Sequence, residues 1–103
     1  MSEENLEAGG LDVRHEEQGG RGAFYVEQGG RRMAELSYAR EGGDRAVIEH
    51  TEVNDALRGQ GVARKLVDAA VSWARASGTR FVPICPYARA VFDRDASLRD
   101  VLV

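Results

Sequence analysis

Cysteine is almost missing from this sequence. Cys85 is the only one among 103 residues, so no internal disulfide is available and a cysteine-rich zinc site is excluded. A lone thiol fits a reducing compartment, and the cytoplasm is the expected location. Proline is scarce too, with two residues, and so is tryptophan, with one. No apolar run approaches the ~18 residues of a membrane span, so no membrane segment is expected. The opening MSEENLEAGG is acidic and has no apolar stretch, so it does not read as a secretory signal. Basic charge is not in excess: 14 Lys and Arg against 17 Asp and Glu give a net charge of −3. That balance argues against a general nucleic-acid binder. The chain is long enough for one core, so we expect a single domain over residues 11–103 behind a loose N-terminus over residues 1–10.

Glycine, by contrast, is abundant, with 12 residues. The pairs Gly19-Gly20, Gly29-Gly30 and Gly42-Gly43 punctuate the first half. Such pairs tolerate the positive φ of tight hairpin turns. Between them lie strand-length runs: Leu11 to Gln18, Phe24 to Gln28, Arg32 to Ala39 and Asp44 to Val53. Polar and apolar residues alternate along them, as in Ala34, Leu36 and Tyr38 against Met33, Glu35 and Ser37. Period two predicts an antiparallel meander with one covered face. After Gly61 the period changes. Val62, Leu66, Ala69 and Trp73 recur at helical spacing, with Ala63, Val67, Ala70 and Ala74 beside them. Trp73 therefore reads as core, and Gly78 ends the helix. Residues 80 to 85, RFVPIC, form a short strand in which Pro83 implies an edge or a splayed end. Pro86 opens a second helix. In the tail SLRDVLV we expect Leu98 and Leu102 to face inward.

The junction NDALRGQGVARKLVDAA carries the chemistry. A helix start presents backbone N–H groups without helical partners at the positive end of the helix dipole. A glycine-rich entry lets an anion come close to them. The glycines alone favour a plain strand-to-helix turn over a phosphate site. Two familiar phosphate cradles fail: a P-loop needs Lys-Ser or Lys-Thr where Val62-Ala63 stands, and the dinucleotide fingerprint needs a third glycine and a parallel-strand setting.

Arg58-x-x-Gly61-x-Ala63, placed behind a strand that ends at Val53, resembles the acyl-CoA-binding motif of the GNAT acetyltransferase superfamily, Q/R-x-x-G-x-G/A, at every fixed position. HTEV at 50 to 53, RGQGVARKLV at 58 to 67 and CPYA at 85 to 88 look like the short, single-domain GNAT-type N-acetyltransferases. The resemblance spans residues 11 to 95. It implies an α+β fold of the α/β/α GNAT type: a four-strand antiparallel meander, the CoA-loop helix, a fifth strand parallel to the fourth, and a short C-terminal helix. It implies acetyl-CoA as cosubstrate, with no metal, bound where the fourth and fifth strands diverge. Pantetheine would lie along the backbone near Val53, and the pyrophosphate on the amides of Arg58, Gly59, Gln60, Gly61, Val62 and Ala63. Larger relatives carry two helices between the first two strands. Here Gly19-Gly20 joins those strands, so the resemblance carries no acceptor assignment.

Acetyl transfer to an amine needs a base for the ammonium proton, a polarised thioester carbonyl and a proton for the departing thiolate. A covalent route would use an enzyme nucleophile. Cys85 precedes a helix start, a setting that suits a nucleophilic sulfur, and it also reads as a small core residue. His50, with Glu52 two residues on along the same face, is a candidate base for Cys85 or for the acceptor, or a satisfied sheet histidine. The short family places His50 and Cys85 on adjacent strands, so we expect them to act together. Tyr87 matches by rough position the tyrosine that many GNAT enzymes use to protonate the thiolate, and it also reads as a packing residue. Arg64 and Lys65 read as a solvated helix face within reach of a phosphate. His15 lies in a polar strand and is assigned no role. The acceptor is an unspecified amine, small or on a protein or peptide, and the chain is a monomer or a weak dimer. A CoA-binding module without turnover would need the Arg58 to Ala63 loop but neither His50 nor Cys85. A pure interaction domain would need none of them.

Overall fold

Paired glycines close the hairpins of the first half. The structure, a computed structural model, describes residues 11–103, and the expectation of a loose stretch over residues 1–10 lies outside them. Gly19 and Gly20 adopt φ of 63° and 81°, and Gly29 and Gly30 adopt 58° and 77°. These two-residue turns join β1 (Arg14–Gln18) to β2 (Arg21–Gln28) and β2 to β3 (Arg31–Arg40). A longer turn leads to β4 (Arg45–Val53). The five-stranded sheet has the order β1-β2-β3-β4-β5. The first four strands are antiparallel, and β5 (Arg80–Pro83) runs parallel to β4. β1 starts three residues later than its apolar pattern suggests, because Leu11 turns into the core ahead of the first ladder pair, Arg14↔Tyr25. β5 ends at Pro83 instead of Cys85, because the N–H groups of Ile84 and Cys85 both bond the Ile48 carbonyl at 3.1 Å as the chain turns away.

One irregularity decides which side chains face which way. Tyr38 opposes Ile48 while Ser37 opposes His50, so Glu49 is an extra residue in β4. Residues two apart on a regular strand share a face. His50 would then follow Ile48 into the core. The bulge reverses the phase. Thr51 and Val53 oppose Leu36 and Ala34 and take the buried face, while His50 and Glu52 oppose Ser37 and Glu35 on the other.

α1 (Val62–Ser77) buries Val62, Leu66, Val67, Ala70, Val71 and Ala74. Gly78 stops it at φ 76° and donates its N–H to Ala74. α2 (Pro86–Arg94) buries Ala88, Val91 and Phe92. A 3-10 segment, Ala96–Val101, buries Leu98 and Val101. Leu102 is only half-buried, since it bridges to Phe81 beyond β5, and Val101 takes the inward place expected of it. Arg64 reaches from α1 to Asp95 at 2.7 Å, and Arg75 to Asp100 at 2.8 Å. All these elements share one buried cluster with the sheet. The opposite sheet face carries Tyr25, Glu35 and Ser37, half-buried, and His50 and Glu52, exposed.

Tyr38, at 0% exposure, anchors an aromatic group with Phe24, Trp73 and Phe81. Its ring lies against Gly22, where a Cβ would stand 2.3 Å from Cζ. Its hydroxyl donates to Glu17 at 2.6 Å. The partner at 2.7 Å, His15 Nε2, is therefore the donor to it. The His15 ring stacks on Phe24, with centroids 4.1 Å apart. Arg40 closes the group by donating to Glu17 at 2.9 Å. So His15, which the sequence leaves without a role, is structural. Gly22→Ala should destabilise the fold by about 1–3 kcal/mol through overpacking, although alanine suits a strand interior better than glycine. A lower urea midpoint at unchanged m-value is the expected readout.

The same group makes stability depend on pH. Burial of the ring holds the His15 pKa below 6.5, and Arg40 adds to this against the pull of Glu17 and Glu16. The hydrogen bond from Arg40, then that from Tyr38, holds Glu17 below 4.5. Both groups bind protons more readily in the unfolded chain. Their contributions are present above those values and are lost as pH falls, first below 6.5 for His15 and then below 4.5 for Glu17. The upper step should be small, because His15 keeps much of its surface in water. Urea midpoints from pH 8 to 5 should decline slightly, and His15→Gln should flatten that decline.

Candidate active site

The end of β4 is pinned before the glycine loop begins. Asn54 donates its N–H to Met33 O, and its side chain accepts from Ala56 N, each at 2.8 Å. This caps a 3-10 turn, Asp55–Leu57, whose Leu57 is buried. Gly59 and Gly61 then adopt φ of 81° and 70°, a region most residues avoid. A Cβ on either would meet nothing within 4 Å, so the space in front of the loop is free of protein. Gly61 is the N-cap of α1 and gives the helix no side-chain cap. The first helical bond runs from Lys65 N to Gly61 O at 3.1 Å. The N–H groups of Val62, Ala63 and Arg64 therefore have no helical acceptor, and no acidic side chain stands in the first turn.

These amides border a cavity of about 280 Å³ lined by Val53, Leu57, Arg58, Gly59, Gly61, Val62, Ala63, Arg64 and Tyr87. Gln60 is the one residue of the expected loop set outside this lining, and its side-chain amide points back to Ala56 O at 3.5 Å. Arg58 is exposed and ion-paired with Asp55 at 2.8 Å. Arg64 is held by Asp68 at 2.9 Å and by Asp95 at 2.7 Å, so its charge is already matched.

Cys85 is the N-cap residue of α2 and is 4% exposed. Its Sγ lies 3.3 Å from Thr51 Oγ1. The expected pairing of Cys85 with His50 is corrected here. The bulge at Glu49 turns Thr51 towards Cys85 and leaves His50 exposed on the other face, and no hydrogen bond joins His50 to Cys85 among the described residues. Tyr87 is half-buried in the first turn of α2 and lines the cavity beside the loop. Thr51 is the residue that sequence reasoning missed, because regular alternation gives no sign of a one-residue slip.

A second cavity, of about 510 Å³, is lined by Arg32, Met33, Ala34, Glu35, Thr51, Glu52, Val53, Asn54 and Arg58. Val53 and Arg58 border both cavities. Among the described residues, no group of three or more His, Cys, Asp or Glu side chains is arranged to hold a metal.

The sequence profile of the GCN5-related N-acetyl-transferase family matches residues 23–101. The chain belongs to that family. The match takes in the glycine loop, the β4 bulge and Cys85. A GCN5-like protein from Staphylococcus aureus, described as a candidate N-acetyltransferase, is 29% identical over 90% of this chain and 88% of its own, with a TM-score of 0.69. The ribosomal-protein-alanine N-acetyltransferase of Brucella melitensis biovar Abortus 2308 is 17% identical, with a TM-score of 0.61. The match covers 76% of this chain and 64% of that one. AAC(6')-Iy, in complex with the bisubstrate analogue CoA-S-monomethyl-acetylneamine, is 15% identical, with a TM-score of 0.52. Here 75% of this chain and 61% of that one are covered. At these identities the last two speak for the fold alone, and this chain spans less than two thirds of either. No curated protein sequence matches the chain. The GCN5-related fold here has no helix, among the described residues, that is long and apolar enough to cross a membrane.

Proposed function

We propose that the chain binds acetyl-CoA and transfers its acetyl group to an amine. The observation that carries this reading is the loop Arg58 to Ala63, whose left-handed glycines and free helix-start amides open on a cavity in a chain of the GCN5-related family. The amides of that loop would hold the pyrophosphate, as the positive end of α1 favours. Pantetheine would run past Val53, which borders both cavities. The thioester would then come to the place where β4 and β5 part, close to Thr51 and Cys85.

His50 is exposed on the sheet face opposite to Thr51 and Cys85, and it takes the proton from an acceptor ammonium that approaches the parting of β4 and β5 from that face. The amine nitrogen forms its bond to the acetyl carbon as the carbon–sulfur bond breaks. The departing thiolate takes a proton from Cys85, oriented by Thr51, or from Tyr87 at the cavity rim, and the second proton that the nitrogen sheds on becoming an amide restores that donor through solvent. The burial of Cys85 favours this direct route over an acetyl-cysteine intermediate. The lone unbridged thiol fits a cytoplasmic setting. The test is thiol release from acetyl-CoA with a panel of amines. Amine-dependent release is the expected result. Binding of acetyl-CoA without release for any amine would leave a CoA-binding module instead.

A further inference from the structure

We infer that the ion pair of Arg21 with Glu49 is a positioning device: it holds the bulge of β4 where Thr51 meets Cys85 and His50 faces out. What the pair does to turnover rests on the acetyl-transfer reading above, and what it does to β4 does not. Glu49 has no partner in the β3–β4 register. An extra residue disrupts the ladder locally, so ladder pairing alone does not fix its place. With no bulge, the pairing of Tyr38 with Ile48 would continue to Leu36 with His50 and Glu35 with Thr51. His50 would then enter the core face, and Thr51 would leave Cys85.

What marks out Glu49 is a contact from two strands away. Gly22 lies against the Tyr38 ring on the core face, so its neighbour Arg21 stands on the open one. In the β2–β3 register Arg21 opposes Ala39, and Ala23 opposes Ser37. β2 and β4 are two strand spacings apart, roughly 10 Å. Arg21 spans that gap over β3, where Ala39 and Ser37 are small, and its Nη2 donates to Glu49 Oε1. Among the described residues this is the only ion pair that reaches β4, and neither side chain has a second charged partner. Bonded to Arg21, with 27% of its side chain exposed, Glu49 shares the open face with His50, the next residue. The chain beyond is anchored separately, by the Asn54 N–H on Met33 O.

The experiment takes Glu49→Gln and Arg21→Gln, each alone and combined, and the exchanged pair Arg21→Glu with Glu49→Arg. Amide hydrogen exchange at residues 48 to 53 and the labelling rate of Cys85 by a small aromatic disulfide report on the bulge. Each single variant should speed both by up to about fivefold, the range that an ion pair of this exposure covers. Amides of α1 should exchange at the wild-type rate, because the pair adds little to global stability. The combined variant should be no worse than either single one, and the exchanged pair should recover most of the loss. In the thiol-release assay kcat should fall by roughly threefold to tenfold, since small misplacements of reacting groups are costly. KM for acetyl-CoA should not move, because the glycine loop lies beyond the Asn54 anchor. Unchanged exchange and labelling, or losses that add in the combined variant, would overturn the inference. So would a uniform rise in exchange across the chain, or an active enzyme whose kcat ignores both variants. If no amine turns over with the wild type, the transfer reading fails, and exchange and labelling decide the role of the pair without it.

Discussion

Acetyl-CoA at about 100 times its Kd should raise the melting temperature of this protein by roughly 10–20 °C. Binding of a ligand to the folded state alone contributes about 2.7 kcal/mol at that ratio. For a domain near 100 residues, each kilocalorie shifts the midpoint by roughly 4–8 °C. The control is Gly61→Asp. Asparate at this position is not sterically blocked, because a Cβ on Gly61 meets nothing within 4 Å. The φ of 70° costs a non-glycine residue something, but Asp is among those that visit the left-handed region. Its negative charge also stands at the favourable end of α1. The unliganded variant should therefore fold and melt near the wild type. Its carboxylate, however, occupies the place where the pyrophosphate would meet the amides of Val62 to Arg64. The acetyl-CoA shift should disappear. A wild-type protein that shows no shift at millimolar acetyl-CoA would make the loop a turn and nothing more.

His50→Ala should lower kcat/KM for amine acetylation by about 10²-fold, the lower end of what a positioned base contributes. His50 is exposed, so the loss should come without a loss of stability. Cys85→Ala is expected to act differently. Cys85 belongs to the buried cluster, and its sulfur touches Thr51 at 3.3 Å. Removing it should slow the reaction by roughly tenfold if it shares protonation of the thiolate with Tyr87. Thr51→Val, which keeps the shape and deletes the hydroxyl, should reproduce part of that loss. Intact mass measured after mixing with acetyl-CoA alone should show no acetyl adduct. An adduct on Cys85 would replace direct transfer by a covalent relay, and the Cys85→Ala variant would then be inactive. Full activity in both His50→Ala and Cys85→Ala would remove both from the chemistry.

Much of this fold is legible in the sequence because it follows from short-range rules. The glycine pairs mark the hairpins, period two marks β2 and β3, and helical spacing marks α1 to within one residue. The loop is legible for the same reason: Arg58-x-x-Gly61-x-Ala63 is a local pattern whose glycines have the left-handed φ it requires. What was hidden depends on contacts between distant segments. Nothing local marks Glu49 as an extra residue, yet its insertion decides that Thr51 and not His50 meets Cys85. His15 looks like one more polar residue of β1, and it gains its place only when Phe24, Tyr38 and Trp73 come together from β2, β3 and α1. The reach of Arg21 to Glu49 is equally invisible until β2, β3 and β4 are in register.

The two borders of the sheet carry a further consequence. β1 is five residues long, RHEEQ, and exposed throughout. A short strand with that much charge is a poor template for another chain to extend. At the other border β5 ends in proline, and the Val103 N–H bonds Phe81 O at 3.1 Å across the strand's outer side. Each border thus resists continuation of the ladder into a neighbouring molecule. At high concentration this protein should stay free of fibrillar growth by strand addition.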